Sequence, residues 1–295
     1  MTIIVDYSQT AISNLMGELG GRKDIDIDVS LVRHMIINSI RGYKQKFGKD
    51  YGDIVIACDS KTYWRKSEFP LYKAHRKRDR DSSGFDWKAI FETLSLVREE
   101  LHQFFPYKVL NVEGAEADDV IAVMAEWSQT NDLNKSIFDE EPKPFLIISG
   151  DHDFIQLQKY SNVKQYSSIH RKMVTSTSSP QDYVIEHIIR GDKGDGIPNV
   201  LSDDDSIFNG VRQKPISTKK LTEWIKDPSL MPQDATFKRN YDRNKTLVDL
   251  TQIPENVKKD IINTFVSQPK KDRSNLINYF MQNKMKQMLE VVQEF

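Results

Sequence analysis

Three apolar runs in this chain stop at aspartate. From Phe145 to Leu157 the residues Phe-Leu-Ile-Ile-Ser-Gly-Asp-His-Asp-Phe-Ile-Gln-Leu turn abruptly acidic after Gly150, presenting Asp151 and Asp153. Thr2–Val5 runs into Asp6, and Asp53–Ala57 runs through Cys58 into Asp59. A continuous apolar run fits a strand covered on both faces by helices, as in a parallel sheet. The C-terminal edge of such a sheet is where loops converge and ligands bind. Three strands ending alike therefore predict carboxylates in one crevice, against the purely structural reading in which Asp153 caps the next helix.

Between these runs the pattern is helical. Ser30–Phe47 carries Leu31, Val32, Met35, Ile36, Ile40 and Tyr43 at helical spacing, with Ser30 expected as N-cap. Phe85–Phe105 reads as an amphipathic helix and Tyr107–Val112 as a strand, after which Glu116, Asp118 and Asp119 crowd the start of another helix. Acids in a first turn suit the helix dipole, but three within four positions exceed what a cap requires. Asn131–Pro144 reads as a polar loop. This alternation predicts an α/β chain with a parallel sheet flanked by helices. Val163–Tyr166 and Lys172–Thr175 read as further strands, and a helix runs from Pro180 to Gly191. The glycine-rich stretch Gly191–Pro198 predicts a tight, phosphate-gripping helix-to-helix turn bearing Asp192 and Asp195. Ser217–Lys226, Ala235–Leu250, Glu255–Phe265 and Asp272–Val292 each read as a helix.

Lysine and arginine (42) nearly balance aspartate and glutamate (43), which excludes a uniformly basic coat, yet the charges are segregated. Lys61–Arg80 holds eight cations (Lys61, Arg65, Lys66, Lys73, Arg76, Lys77, Arg78, Arg80) against Glu68 and Asp79, interleaved with Tyr63, Trp64, Phe69 and Tyr72. Cations beside stacking platforms suit a charged, base-bearing strand better than a plain solvated helix face. Cys58 is the single cysteine, so no internal disulfide or thiolate cage forms within one chain, and a metal must use oxygen or histidine. No apolar stretch reaches the roughly 20 residues of a membrane span, and the N-terminal residues lack the pattern of a signal peptide. A cytoplasmic location is the expectation.

Collected, the acids at strand ends and tight turns are Asp6, Asp59, Glu116, Asp118, Asp119, Asp151, Asp153, Asp192 and Asp195. So many carboxylates cannot stay ionised together without counter-ions. Hard divalent cations, Mg²⁺ with Mn²⁺ as substitute, prefer oxygen ligands. A pair of them activates water against a phosphodiester. The basic segment then supplies what an acidic crevice lacks, with Lys73 and Arg76 placed to stabilise charge on the scissile phosphate. His152 is not assigned as a base, because alternation at a strand end turns it away from both neighbours.

Trp64-Arg65-Lys66 through Pro70-Leu71-Tyr72-Lys73-Ala74-His75-Arg76, Glu116-Ala117-Asp118-Asp119-Val120-Ile121, Ser149-Gly150-Asp151-His152-Asp153 and Gly191-Asp192-Lys193-Gly194-Asp195 together resemble, in order, the motifs of the 5′ nuclease (flap endonuclease) superfamily. The C-terminal stretch from Tyr241 to Phe295 resembles its phage members. The resemblance implies a PIN-like core over residues 1–180 with a helical arch over 61–86, and a helical DNA-binding region over 181–295 with a helix-three-turn-helix-like motif. It implies a 5′→3′ exonuclease and flap endonuclease that removes RNA primers and adjoining DNA at lagging-strand junctions. Two Mg²⁺ ions follow, one surrounded by Asp6, Asp59, Glu116, Asp118, Asp119 and Asp151, the other on the side of Asp153, Asp192 and Asp195. Lys73 and Arg76 are the implied catalytic cations, and Arg65, Lys66, Tyr72, Lys73, Arg76, Lys77 and Lys193 the implied nucleic-acid contacts. The implied partners are DNA and RNA·DNA hybrids with 5′ ends or flaps, a single-stranded DNA-binding protein and a sliding clamp, engaged by a monomer. Two features depart from the family pattern. Val200-Leu201-Ser202-Asp203-Asp204-Asp205 stands where cellular members carry a second glycine hairpin holding a monovalent ion, and the chain begins at its first strand, with no extension for a clamp-binding peptide. A small-molecule phosphatase would share the carboxylates but has no use for the basic-aromatic segment; a non-catalytic nucleic-acid module would use that segment and leave the acids structural.

Overall fold

The computed structural model describes residues 1–22, 27–130 and 142–295. Most of the loop expected over 131–144 lies outside them. Six strands form one sheet: β1 (Thr2–Asp6), β2 (Asp53–Cys58), β3 (Lys108–Asn111), β4 (Phe145–Ile148), β5 (Val163–Ser167) and β6 (Lys172–Met173). Their order is β3-β2-β1-β4-β5-β6, all parallel except the short β6, which pairs antiparallel to β5. The chain winds outward from β1 to β3 and then restarts beside β1 with β4, so the topological switch lies between β1 and β4. Crevices form where connections depart in opposite directions. Thr2 pairs with Asp53 on one side and Phe145 on the other, which brings the three acid-bearing ends level.

Successive strand residues point to opposite faces, and here both faces are covered. Ile3, Val5, Ile54, Ile56, Cys58, Leu146 and Ile148 pack under α1 (Tyr7–Leu19), α2 (Val29–Tyr51) and α5 (Trp87–Phe104). Ile4, Val55, Ala57, Leu110, Phe145 and Ile147 pack under α6 (Ala117–Thr130) and α10 (Glu255–Ser267). The N-cap of α2 is Asp28, whose Oδ1 accepts from Ser30 N at 2.8 Å and Leu31 N at 3.2 Å, rather than Ser30. Asp28 caps better because its acceptor reaches two of the unsatisfied amides of the first turn.

The basic segment leaves β2 and forms α3 (Arg65–Glu68) and α4 (His75–Ser83) before α5. Beyond the sheet, α7 (Pro180–Arg190), α8 (Thr218–Lys226) and α9 (Ala235–Val248) enclose a smaller core of Ile189, Val200, Leu221, Trp224, Met231 and Phe237. After the Gly191–Pro198 turn the chain continues through successive turns over 199–210, and no regular helix follows until α8. The expected helix Asp272–Val292 is instead two, α11 (Leu276–Gln282) and α12 (Lys286–Glu290). Lys284, at φ 56°, turns the chain between them. That reversal lets Tyr279, Phe280 and the terminal Phe295 all meet the Phe105 ring. Residues of α10–α12 thus complete the two sheet cores rather than extending the region after residue 181, because their apolar stripes match the sheet's faces.

Candidate active site

Asp6 ends β1 and at the same time caps α1, its Oδ1 accepting from Gln9 N at 3.0 Å and its Oδ2 from Ser149 Oγ at 3.1 Å. Asp59, just past β2, is fixed by Ala117 N at 2.9 Å and by Ser8 Oγ at 2.7 Å. Asp151, past β4, accepts from Asp153 N at 2.9 Å and caps the 3-10 helix His152–Lys159. The capping acid at this strand end is thus Asp151, while Asp153 in the first turn turns inward; His152 is exposed. The Gln9 side chain ties the β1 and β4 ends together by accepting from Gly150 N and from Ser149 Oγ.

The tight turn is closed by paired amides, Asp192 N to Ile197 O at 2.9 Å and Ile197 N to Asp192 O at 2.7 Å. Gly191 sits at φ 66°, and a Cβ there would lie 2.3 Å from Ile197 O, so only glycine closes this loop without strain. Arch and turn are joined: Lys73, itself at φ 55°, donates its backbone N–H to Asp195 O at 2.7 Å, and Arg76 Nε donates to Gly194 O at 2.9 Å.

These elements enclose a cavity of about 360 Å³ lined by Asp6, Asp59, Asp118, Asp151, Asp153, Asp192 and Asp195, with Lys73 and Arg76 as its cations. Seven carboxylates against two cations leave an excess of negative charge, and the proton affinities follow. Burial, with the charges of Asp59 and Asp151 adding to it, pushes Asp6 up to about 7 despite its hydrogen bonds from Gln9 and Ser149. Asp118 is raised well above the usual carboxylate range by burial and then by Asp151, against the pull of Lys73. Asp153 rises to about 7 through burial and through Asp151, Asp192 and Asp195, with His187 opposing. Asp192 goes the other way: burial alone would raise it, but His187 and backbone amides of the turn hold it low. Lys73 is raised, because Asp195 and Glu116 outweigh its burial.

Two expected ligands stand outside the cavity lining. Asp119 is fully buried, accepting from Trp64 Nε1 at 3.1 Å and Glu116 N at 2.9 Å, with Arg65 Nη1 at 2.8 Å. Glu116 lies one layer behind the cavity, held by Arg65 at 2.9 Å, by the Tyr72 hydroxyl at 3.1 Å and by Lys73 Nζ at 2.6 Å. Arg65 and Tyr72, expected at the nucleic-acid surface, lie instead in the interior. Each is buried, Arg65 as internal counter-ion to Glu116 and Asp119 and donor to Leu247 O at 2.9 Å, Tyr72 donating to Asp195 at 2.7 Å. Lys66, Lys77 and Lys193 are exposed, and Arg76 is partly so, paired with Asp195.

Sequence reasoning passed over Gln9 and His187, and gave Ser149 and Trp64, though they stand in the quoted motifs, no place in the site. Gln9 and Ser149 lie within three residues of acids already singled out, the one signal that marks them. His187, on α7, sits 3.3 Å from Asp153 and 3.5 Å from Asp192, and is raised because these acids outweigh its burial. In the acidic run after the turn, Asp204 is paired by α9, with Arg239 at 2.9 Å and with Arg243.

The donor set fits divalent cations. The Asp118 and Asp153 carboxylates face the cavity and, among the described residues, make no hydrogen bond within the protein, while Asp6, Asp59, Asp151, Asp192 and Asp195 are pre-oriented by amides and hydroxyls. Hard oxygen donors in excess of positive charge are what Mg²⁺ and Mn²⁺ take.

Residues 23–187 match the family model for the 5′-3′ exonuclease N-terminal resolvase-like domain, and residues 178–295 match that for the C-terminal region of bacteriophage T4 RNase H. Ribonuclease H of Enterobacteria phage T4 is 31% identical over 302 residues, covering 99% of this chain and 95% of that one. Solved structures agree on the fold. A bacteriophage T5 5′-exonuclease with bound zinc superposes with a TM-score of 0.61 at 17% identity over 97% of this chain and 99% of that one. The T5 flap endonuclease in a pseudo-enzyme–product complex with DNA and metal ions gives 0.59 at 18% identity, over 89% and 98%.

Proposed function

The chain belongs to the 5′-3′ exonuclease family and is a 5′→3′ nuclease, and from that premise we propose that it hydrolyses phosphodiester bonds of 5′ flaps and RNA·DNA hybrids with Mg²⁺, Mn²⁺ substituting. The observation that carries this reading is the single cavity at the ends of three adjacent parallel strands, where seven carboxylates face Lys73 and Arg76. Two bound ions would supply a water of lowered pKa and charge neutralisation at the phosphate. Asp6, Asp59, Asp118 and Asp151 would hold one ion, and Asp153, Asp192 and Asp195 the other.

Lys73 and Arg76 line the cavity while tethered to Glu116 and Asp195. Their role is to meet the scissile phosphate and stabilise the charge it develops. Glu116 orients Lys73 for this, and the buried Arg65 pairs with Glu116 from behind. Exposed Lys66 and Lys77 on the arch and Lys193 on the turn would guide the 5′ strand and the duplex phosphates. In this division the sheet with α10–α12 is the catalytic core and residues 181–253 hold the duplex. Removal of RNA primers beside DNA, by a monomer working with a single-stranded DNA-binding protein and a sliding clamp in the host cytoplasm, is the setting this activity suits. Among the described residues no helix is long and apolar enough to cross a membrane.

The test is product mapping on a 5′-labelled flap and on an RNA·DNA hybrid with Mg²⁺. Asp151→Asn is expected to lower cleavage roughly 100-fold or more while retaining DNA binding. Full activity in that variant would sink the assignment.

A further inference from the structure

Among the described residues His187 is the one imidazole set among the cavity's acids, and its position is specific. Its Nε2 lies 3.3 Å from Asp153 Oδ1 and 3.5 Å from Asp192 Oδ2, and the three donor atoms lie within 4.8 Å of one another. The Nε2 atom is buried, yet neither contact has hydrogen-bond alignment, so it makes no hydrogen bond. Donors bound about 2.1 Å from one ion stand roughly 3.0 Å apart in octahedral and 3.4 Å in tetrahedral geometry. The observed spacings from His187 are those of ligands around a shared cation, looser than those of hydrogen-bonded groups.

Each member is also held in place. The His187 ring stacks on Tyr183 one helical turn earlier, with centroids 5.7 Å apart and planes 17° from parallel, and its carbonyl accepts from Gly191 N at 2.9 Å. Asp192 spends Oδ1 on Asp195 N at 3.1 Å, which leaves Oδ2 facing the imidazole. Asp153 belongs to the 3-10 helix anchored by Asp151.

The two ends of the cavity therefore differ in chemistry. Asp6, Asp59, Asp118 and Asp151 offer oxygen alone, the donor class of Mg²⁺. A site with imidazole nitrogen favours the later divalent ions such as cobalt and zinc. We propose that Asp153, His187 and Asp192 form a mixed nitrogen–oxygen subsite selective for transition-metal ions, an inference that rests on the metal-dependent reading above and assigns His187 as a ligand there.

The experiment adds one equivalent of Zn²⁺ alone to the metal-free full-length protein and reads the metal's surroundings by X-ray absorption, where an imidazole ligand gives its own outer-shell scattering. Competition titration with a chromophoric chelator measures Zn²⁺ affinity, and calorimetry measures Mg²⁺ affinity. The expected result is imidazole scattering in the wild-type protein, its loss in His187→Gln, and Zn²⁺ affinity at least roughly tenfold weaker in that variant, with Mg²⁺ affinity changed much less. Zn²⁺ bound by oxygen alone in the wild-type protein, or imidazole scattering that survives in His187→Gln, overturns the subsite while leaving Mg²⁺-dependent cleavage intact. Absence of binding by either ion overturns the metal-dependent reading as well. The wild-type spectrum decides the point even if His187→Gln does not fold.

Discussion

Replacing Asp6 by asparagine should stabilise the metal-free protein while abolishing cleavage. Asp6 is 6% exposed and its proton affinity is raised from an ordinary carboxylate value to about 7. A raised acid binds its proton more tightly folded than unfolded, so its contribution to stability falls as pH rises from the unfolded value near 4 to the folded value, and is level above it. Three pKa units correspond to a cost of about 4 kcal/mol for the ionised group. Asparagine avoids this cost without losing a contact, since its Oδ1 can still accept from Gln9 N and its amide can donate to Ser149 Oγ, the two groups that hold Asp6. Partial relaxation of the neighbouring acids should leave a gain of roughly 2–4 kcal/mol at about pH 8, or a midpoint shift of roughly 5–10 °C, shrinking toward about pH 4. With Mg²⁺ at a hundredfold excess over its dissociation constant the variant's advantage should largely disappear, because the wild-type protein then gains about 3 kcal/mol. Thermal melts in EDTA and in Mg²⁺ across this pH range, beside a flap-cleavage assay, measure every term. A variant destabilised in EDTA at high pH, or a gain that does not vary with pH, would refute convergent ionised carboxylates as the organising feature of the site.

Arg65→Met should lower stability by roughly 3–5 kcal/mol, since it strands Glu116 and Asp119 without their buried counter-ion, and denaturant melts would show it. By contrast Lys66→Ala or Lys77→Ala should leave the melt unchanged and each reduce the slope of log affinity against log salt by roughly 0.7–0.9 in DNA-binding titrations, if the side chain touches a phosphate. Gly191→Ala should weaken both the fold and duplex binding, because its Cβ meets Ile197 O in a left-handed backbone; binding and melting measured together would test this. Cys58 is buried, and burial raises its thiol further from reactivity. A thiol reagent should label it only as fast as the protein unfolds, and rapid labelling of the native state would contradict its placement.

Much of this could be read from the chain because it is local. An apolar run that stops at an acid specifies a buried strand and the chemistry at its end, whichever strands lie beside it, and Asp6, Asp59, Asp151 and Asp153 were legible for that reason. The glycine turn with Asp192 and Asp195 was legible too, since few other sequences close so tightly. Helix continuity was less secure: Asp272–Val292 keeps an apolar stripe throughout, and only the Phe105 cluster it must cover shows why it breaks at Lys284.

By itself, then, the sequence determined the fold class and which segments deliver acids, because those follow from periodicity and from residues that end elements. Tertiary structure alone decided which acids line the cavity. Asp118 and Asp119 are chemically identical neighbours, but each helical residue turns about 100° from the last, and packing of α6 on the sheet sends Asp118 to the cavity and Asp119 to Arg65. The same holds for Arg65 among the cations of its segment and for His187 on α7: whether a charged side chain meets solvent, a substrate or another charge is set by what folds against it from elsewhere in the chain.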